Sequence, residues 1–158
     1  MTTDLVPAHP FSEAKTGLSE LMSEVVRKHR PHLIERNHGR ETMALIGAEE
    51  LDTVLRPYSL VPDVVYGRGE VTMSLAPLGL VASGASLDAA ADAMLDELRQ
   101  YAREFIDRYE YFRHTDRTGD LPWVLRFSLT PPGAQRDLLF EEPTIALAPR
   151  QERVSAPR

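Results

Sequence analysis

The sequence predicts an α+β chain of two small domains, on three observations. Short runs read as strands at His32–Arg36 and Glu41–Ile46, and at Glu70–Leu75 and Leu78–Ala82 apolar residues alternate as in half-buried strands. Apolar residues at three-and-four spacing mark helices between those runs, the longest after Ser86. Pro57 and Pro62 punctuate the chain between the two sets. The expected organisation is a first domain at 1–56, a linker at 57–66, a small antiparallel β-β-α-β domain with one long helix at 67–140, and a flexible tail at 141–158.

Composition narrows the class. A chain of 158 residues with 42% hydrophobic and 27% charged residues can bury a core. It has no cysteine, which excludes disulfides, thiolate metal sites and a cysteine nucleophile. No run reaches the roughly 18 apolar residues of a membrane span, and the first residues lack the pattern of a signal peptide. A cytoplasmic protein is the expectation. The net charge is −6, with 7 basic against 9 acidic groups in residues 1–56 and 11 against 15 beyond. Neither part is basic overall, so any contact with DNA needs a local patch.

Each element has its own reason. Ser12 reads as the N-cap of a helix running to about Arg27–His29, with Leu18, Leu21, Met22, Val25 and Val26 as one buried stripe. Lys15 stands in its first turn, where a cation opposes the helix macrodipole, and Pro31 ends the helix. His32–Arg36 and Glu41–Ile46 form a hairpin around Asn37-His38-Gly39-Arg40, with Gly39 supplying the positive φ. Ala48–Leu55 is a second helix. Beyond the linker, two strands at Glu70–Leu75 and Leu78–Ala82 lead to a helix capped by Ser86 and running to about Tyr109. Its stripe is Leu87, Ala90, Ala91, Met94, Leu95, Leu98, Ala102, Phe105, Ile106 and Tyr109. A polar loop at His114–Asp120 precedes a third strand, Trp123–Thr130, in which Trp123, Leu125, Phe127 and Leu129 alternate with Arg126, Ser128 and Thr130. Ala134–Phe140 reads as a short helix.

Catalysis finds no assembly of nucleophile, base and oxyanion donor, and no phosphate-binding loop or nucleophile elbow. His29 and His32 have a metal-like spacing, but Pro31 sets them on different elements and no matching carboxylate accompanies them. No catalytic residue, metal or cofactor is expected. Cations are more suggestive. Lys15 can reach a phosphate or a base edge from a helix N-terminus. Arg36, His38 and Arg40 crowd one hairpin, and the repulsion between two arginines flanking a turn is easier to understand with a phosphate as partner. Two-fold symmetry would double so small a patch.

The run Ser12-Glu13-Ala14-Lys15, Leu18-Ser19-Glu20-Leu21, then Leu33-Ile34-Glu35-Arg36-Asn37-His38-Gly39-Arg40 and Ala44-Leu45-Ile46-Gly47-Ala48-Glu49-Glu50-Leu51, resembles the Phd/YefM (prevent-host-death) antitoxins over residues 11–56. The later region is similar to longer Phd-like antitoxins, and its β-β-α-β order around Gly84-Ala85-Ser86 also resembles the HicB antitoxin domain. The resemblance implies a homodimer that binds operator DNA through Ser12, Lys15, Arg36, His38 and Arg40 and represses its own operon. It also implies a toxin partner, commonly a RelE-like ribonuclease. Tyr111 and Phe112, beside the polar loop, are the expected anchors for that partner. The acidic second domain suits a basic toxin. The competing expectation is a stand-alone dimeric DNA-binding regulator whose second domain binds a ligand or mediates oligomerisation. A toxin gene adjacent in the operon would discriminate the two.

Overall fold

The computed structural model describes residues 5–142, so the expected tail, apart from Glu141 and Glu142, lies outside the described residues. The fold is α+β, with two three-stranded sheets and one long helix. The chain divides into two units, Met1–Val54 and Leu55–Arg158.

The first unit begins with β1 (Ala8–Pro10), a strand absent from the sequence expectation, which runs parallel to β2 (His32–Arg36). Between them lie α1 (Phe11–Thr16) and α2 (Leu18–Lys28). The single expected helix is thus divided at Gly17, although Gly17 N–H still donates to the Glu13 carbonyl (2.9 Å) and Leu21 N–H to Gly17 O (3.0 Å). Ser12 is not its cap: the residue before α1 is Pro10, and no side chain caps that end. β3 (Glu41–Leu45) pairs antiparallel with β2, Ile34 opposite Met43 and Arg36 opposite Glu41. The small core gathers Ala14, Leu21 and Ile34, with Leu45 against it. Only Leu21 and Val25 of the expected α2 stripe are buried. Leu18, Met22 and Val26, one turn apart along the helix, are exposed. α3 (Ala48–Leu55) follows.

In the second unit, β4 (Asp63–Tyr66), β5 (Val71–Leu75) and β6 (Leu80–Gly84) form an antiparallel meander in that order. β4 falls where a linker was expected. Asp63-Val64-Val65-Tyr66 is a short run of strand formers whose ladder runs from Asp63 opposite Ser74 to Tyr66 opposite Val71. Val71, Met73 and Leu75 point to the buried side. α4 (Leu87–Asp107) packs across β6 and β5. The Ser86 hydroxyl caps it by accepting from Ala89 N–H at 3.2 Å, as expected. Ala90, Ala91, Met94, Leu95, Leu98, Ala102 and Phe105 are buried, while Ile106 and Tyr109, expected in the same stripe, are exposed. Gly84 lets helix and strand meet: a Cβ there would lie 2.4 Å from Ala90 N and 2.6 Å from Ala89 C.

Trp123–Thr130 is not a strand. Leu121–Leu129 is a helix, here α6, after the short α5 (Tyr109–Phe112) and a 3-10 turn at Asp116–Asp120. Pro122 occupies its first turn, where a missing N–H costs nothing. Val124 and Phe127, three apart, are buried, whereas Leu129, which a strand would have buried, is exposed. The unit therefore runs β-β-β-α-α-α rather than β-β-α-β, and the HicB-like order does not survive. The short helix expected at Ala134–Phe140 is a 3-10 segment, Pro132–Leu139.

Candidate DNA-contacting and partner surfaces

The hairpin is held by its own chemistry. Asn37, His38 and Gly39 all adopt left-handed φ (53°, 57° and 78°), so the turn asks more than the single glycine expected. Asn is among the non-glycine residues that tolerate this region best. Across the mouth of the turn, Glu41 accepts from Arg36 Nε (2.7 Å) and from Asn37 Nδ2 (2.7 Å). The Arg36 bond first, then the Asn37 bond, holds the Glu41 carboxyl below its ordinary range. This corrects the expectation of two repelling arginines: Arg36 is ion-paired with Glu41, opposite it in the ladder. Arg40 sits in the turn, exposed, and its side chain makes no hydrogen bond or ion pair among the described residues.

Ser12, Arg36 and His38 come together along one open groove of ≈ 400 Å³, lined also by Phe11 and Glu35. Lys15 is on α1, exposed, and does not line it. A site at the N-terminus of α1 itself is not supported, because the helix has six residues. What the hairpin and α1 display is a set of exposed polar and cationic groups, with Lys15 and Arg40 uncompensated among the described residues.

His29 and His32 are on different elements, as expected. His29 ends α2 in a left-handed conformation and pairs with Glu50. His32 is buried and shares a hydrogen bond with His9 (2.9 Å), a pairing that sequence reading missed because β1 was not foreseen. Burial first, then the charge of His9, pushes the His32 imidazole below its ordinary pKa. Among the described residues, no three metal-ligating side chains converge.

In the second unit the two expected anchors differ. Tyr111 is 58% exposed, with the Arg108 guanidinium 4.7 Å above its ring. Phe112 stacks on buried Phe105 at 4.9 Å and is half-buried against the core. Ile106 near the end of α4, and Tyr109 and Tyr111 on α5, are likewise exposed. Trp123 is anchored differently: its Nε1–H donates to Ser59 O at 3.1 Å, and its ring meets Tyr58 edge-on. The polar loop is pinned as well. Tyr101 OH donates to buried Asp120 (2.5 Å), and burial, then this bond, raises the Tyr101 pKa to about 12. Arg126, expected on the polar side of a strand, is different. It is buried on α6, donating to Tyr58 O (3.0 Å) and Glu141 (2.6 Å).

The described residues thus form two α+β units, with Lys15 and Arg40 exposed on the first and Tyr109 and Tyr111 exposed on the second. The model of the family described as antitoxin of a toxin–antitoxin system, RelE/RelB, matches residues 6–135. The chain belongs to this PHD-like antitoxin family. A solved structure from Syntrophomonas wolfei subsp. wolfei, the antitoxin part of a proposed toxin/antitoxin system, shares its fold. The TM-score is 0.68 at 18% identity, over 83% of this chain and 94% of that one. Comparison with curated proteins returns no match.

Proposed function

We propose that this antitoxin works with two surfaces: the first unit dimerises and binds operator DNA, and the second neutralises the toxin by occluding it. The observation that carries the reading is the family match, which spans both units. Support for dimerisation comes from the apolar residues the first unit leaves uncovered. Leu18, Met22 and Val26 on α2, with Met43 on the edge strand β3, are exposed large hydrophobics on a unit whose own core is three residues deep. A second copy covering them would give that core the size it lacks. Support for DNA contact comes from Lys15 and Arg40, with Ser12, Arg36 and His38 along the adjoining groove. Arg36 reaches a phosphate only in exchange for Glu41, so its contribution is smaller than that of Arg40.

On this reading the toxin surface includes the exposed Ile106, Tyr109 and Tyr111, with Phe112 meeting the Tyr111 ring edge-on. A ribonuclease of the RelE type, basic because it handles RNA, suits the acidic charge of residues beyond 56. Nothing is turned over: the protein acts in the cytoplasm by steric and electrostatic occlusion. Co-expression tests the reading. The neighbouring gene product should arrest growth alone and be neutralised by this chain, and Tyr111→Ala should weaken the complex. A neighbour that is harmless, or that this chain neither binds nor rescues, contradicts it.

A further inference from the structure

The sheet of the second unit has two edge strands, β4 and β6. α4 lies across β6 and β5, and Gly84 brings the helix backbone onto β6. All four residues of β4 are exposed. The edge is short and starts at Asp63 after Pro62, but no lysine, proline or bulge interrupts the apolar run Val64-Val65-Tyr66. The exposure is apolar: Val65 is 63% and Tyr66 69% exposed.

Sheet parity decides what can pair with it. Val64 and Tyr66 stand opposite Met73 and Val71 and so share the α4 side of the sheet, whereas Val65 stands opposite Thr72 on the outer side. A second copy of β4, running antiparallel about a two-fold axis through Val65, keeps this sidedness. Val65 then faces Val65 of the other copy on the outer side, and Val64 faces Tyr66 twice on the α4 side. No like charges meet, because Asp63 falls opposite Gly67. The cation Arg68, in the turn just beyond, comes beside Asp63 of the other copy. Both charges are exposed and unpaired among the described residues. The strand is complementary to itself in apolar pairing and in charge.

We propose that β4 is a second homotypic interface, joining two copies edge to edge into a continuous six-stranded sheet. It is independent of the dimerisation assigned to the first unit and adds to it. Two different two-fold contacts on one chain take the assembly beyond a dimer.

The chain has no cysteine, so a single introduced thiol reports the axis directly. Opposed residues of an antiparallel pair have Cα atoms about 4.5–5.5 Å apart, within the disulfide range of about 4.4–6.8 Å. Mild oxidation of the full-length Val65→Cys protein should convert most of it to a covalent dimer. Val81→Cys, equally exposed but on β6, should remain single-chain. Val65→Lys, which sets two cations on the axis, should lower the mass measured by light scattering. The proposal is overturned if Val65→Cys cross-links no faster than Val81→Cys, or if Val65→Lys leaves the mass unchanged. It is equally overturned if Val65→Cys is single-chain and becomes protected only when the toxin is added, since the edge then belongs to the toxin.

Discussion

At the scale of single residues, charges already spent inside the chain are separated from those left over. Arg36 and Arg40 look equivalent in the sequence, yet only Arg36 has a carboxylate partner, Glu41. Neutralising one phosphate contributes about 0.9 to the salt slope of DNA binding. Arg40→Ala and Lys15→Ala should therefore each lower the slope of log Kobs against log salt by about one. Arg36→Ala should lower it less, and a mobility-shift series at several salt concentrations would detect the order. Equal effects for Arg36 and Arg40 would mean that the Glu41 pair is not kept in the complex. His32 supplies a pH signature. Its folded pKa is depressed below 6.5, chiefly by burial. As pH falls through 6.5 the unfolded chain binds a proton that the folded chain refuses, so this contribution is complete above 6.5 and drains away towards the lower folded value. Urea midpoints followed by circular dichroism from pH 7.5 to 5.5 should decline, and the decline should be shallower in His32→Gln. Equal slopes for the two proteins would remove His32 from the account.

At the scale of elements, legibility followed period and length. α4 was plain because 21 residues sustain a 3.6-residue rhythm behind a serine cap. α6 was misread because its apolar residues fit both periods. Trp123, Leu125, Phe127 and Leu129 alternate, but Val124 and Phe127 also lie three apart, and Pro122 was the helix signal passed over. β1 and β4, three and four residues long, are too short for a pattern to show. The hairpin was legible from Gly39, but Arg36–Glu41 pairing depends on register, which sequence alone does not supply. The same elements set the stability of the second unit. Phe105→Ala removes a fully buried ring from the centre of its core and should cost about 3–5 kcal/mol. Gly84→Ala forces a methyl against the backbone of α4 and should cost about 1–3 kcal/mol. Denaturant unfolding followed by Trp123 fluorescence measures both. A neutral Gly84→Ala would show that α4 shifts to make room.

At the scale of the whole molecule, family membership and the division into two units support one economical reading. We propose that a first unit with a three-residue core gains most from a partner copy, and that a second unit with a full core of its own offers the toxin a folded surface. Inhibition by a folded face does not require the ordering entropy that a disordered inhibitor must overcome. The sequence resemblance reached the class of protein through residues 11–56, and the match over 6–135 extends it across the second unit. Ile106 and Tyr109, exposed at and just beyond the end of α4, follow the same apolar rhythm as the core and so were expected in its stripe.

The most direct measurement is co-expression of this chain with the product of the adjacent gene, followed by growth and co-purification. Neutralisation by occlusion predicts that the neighbour alone arrests growth, that the intact chain restores it, and that the two elute as one complex. Growth arrest that persists while both proteins are soluble and separate would contradict it.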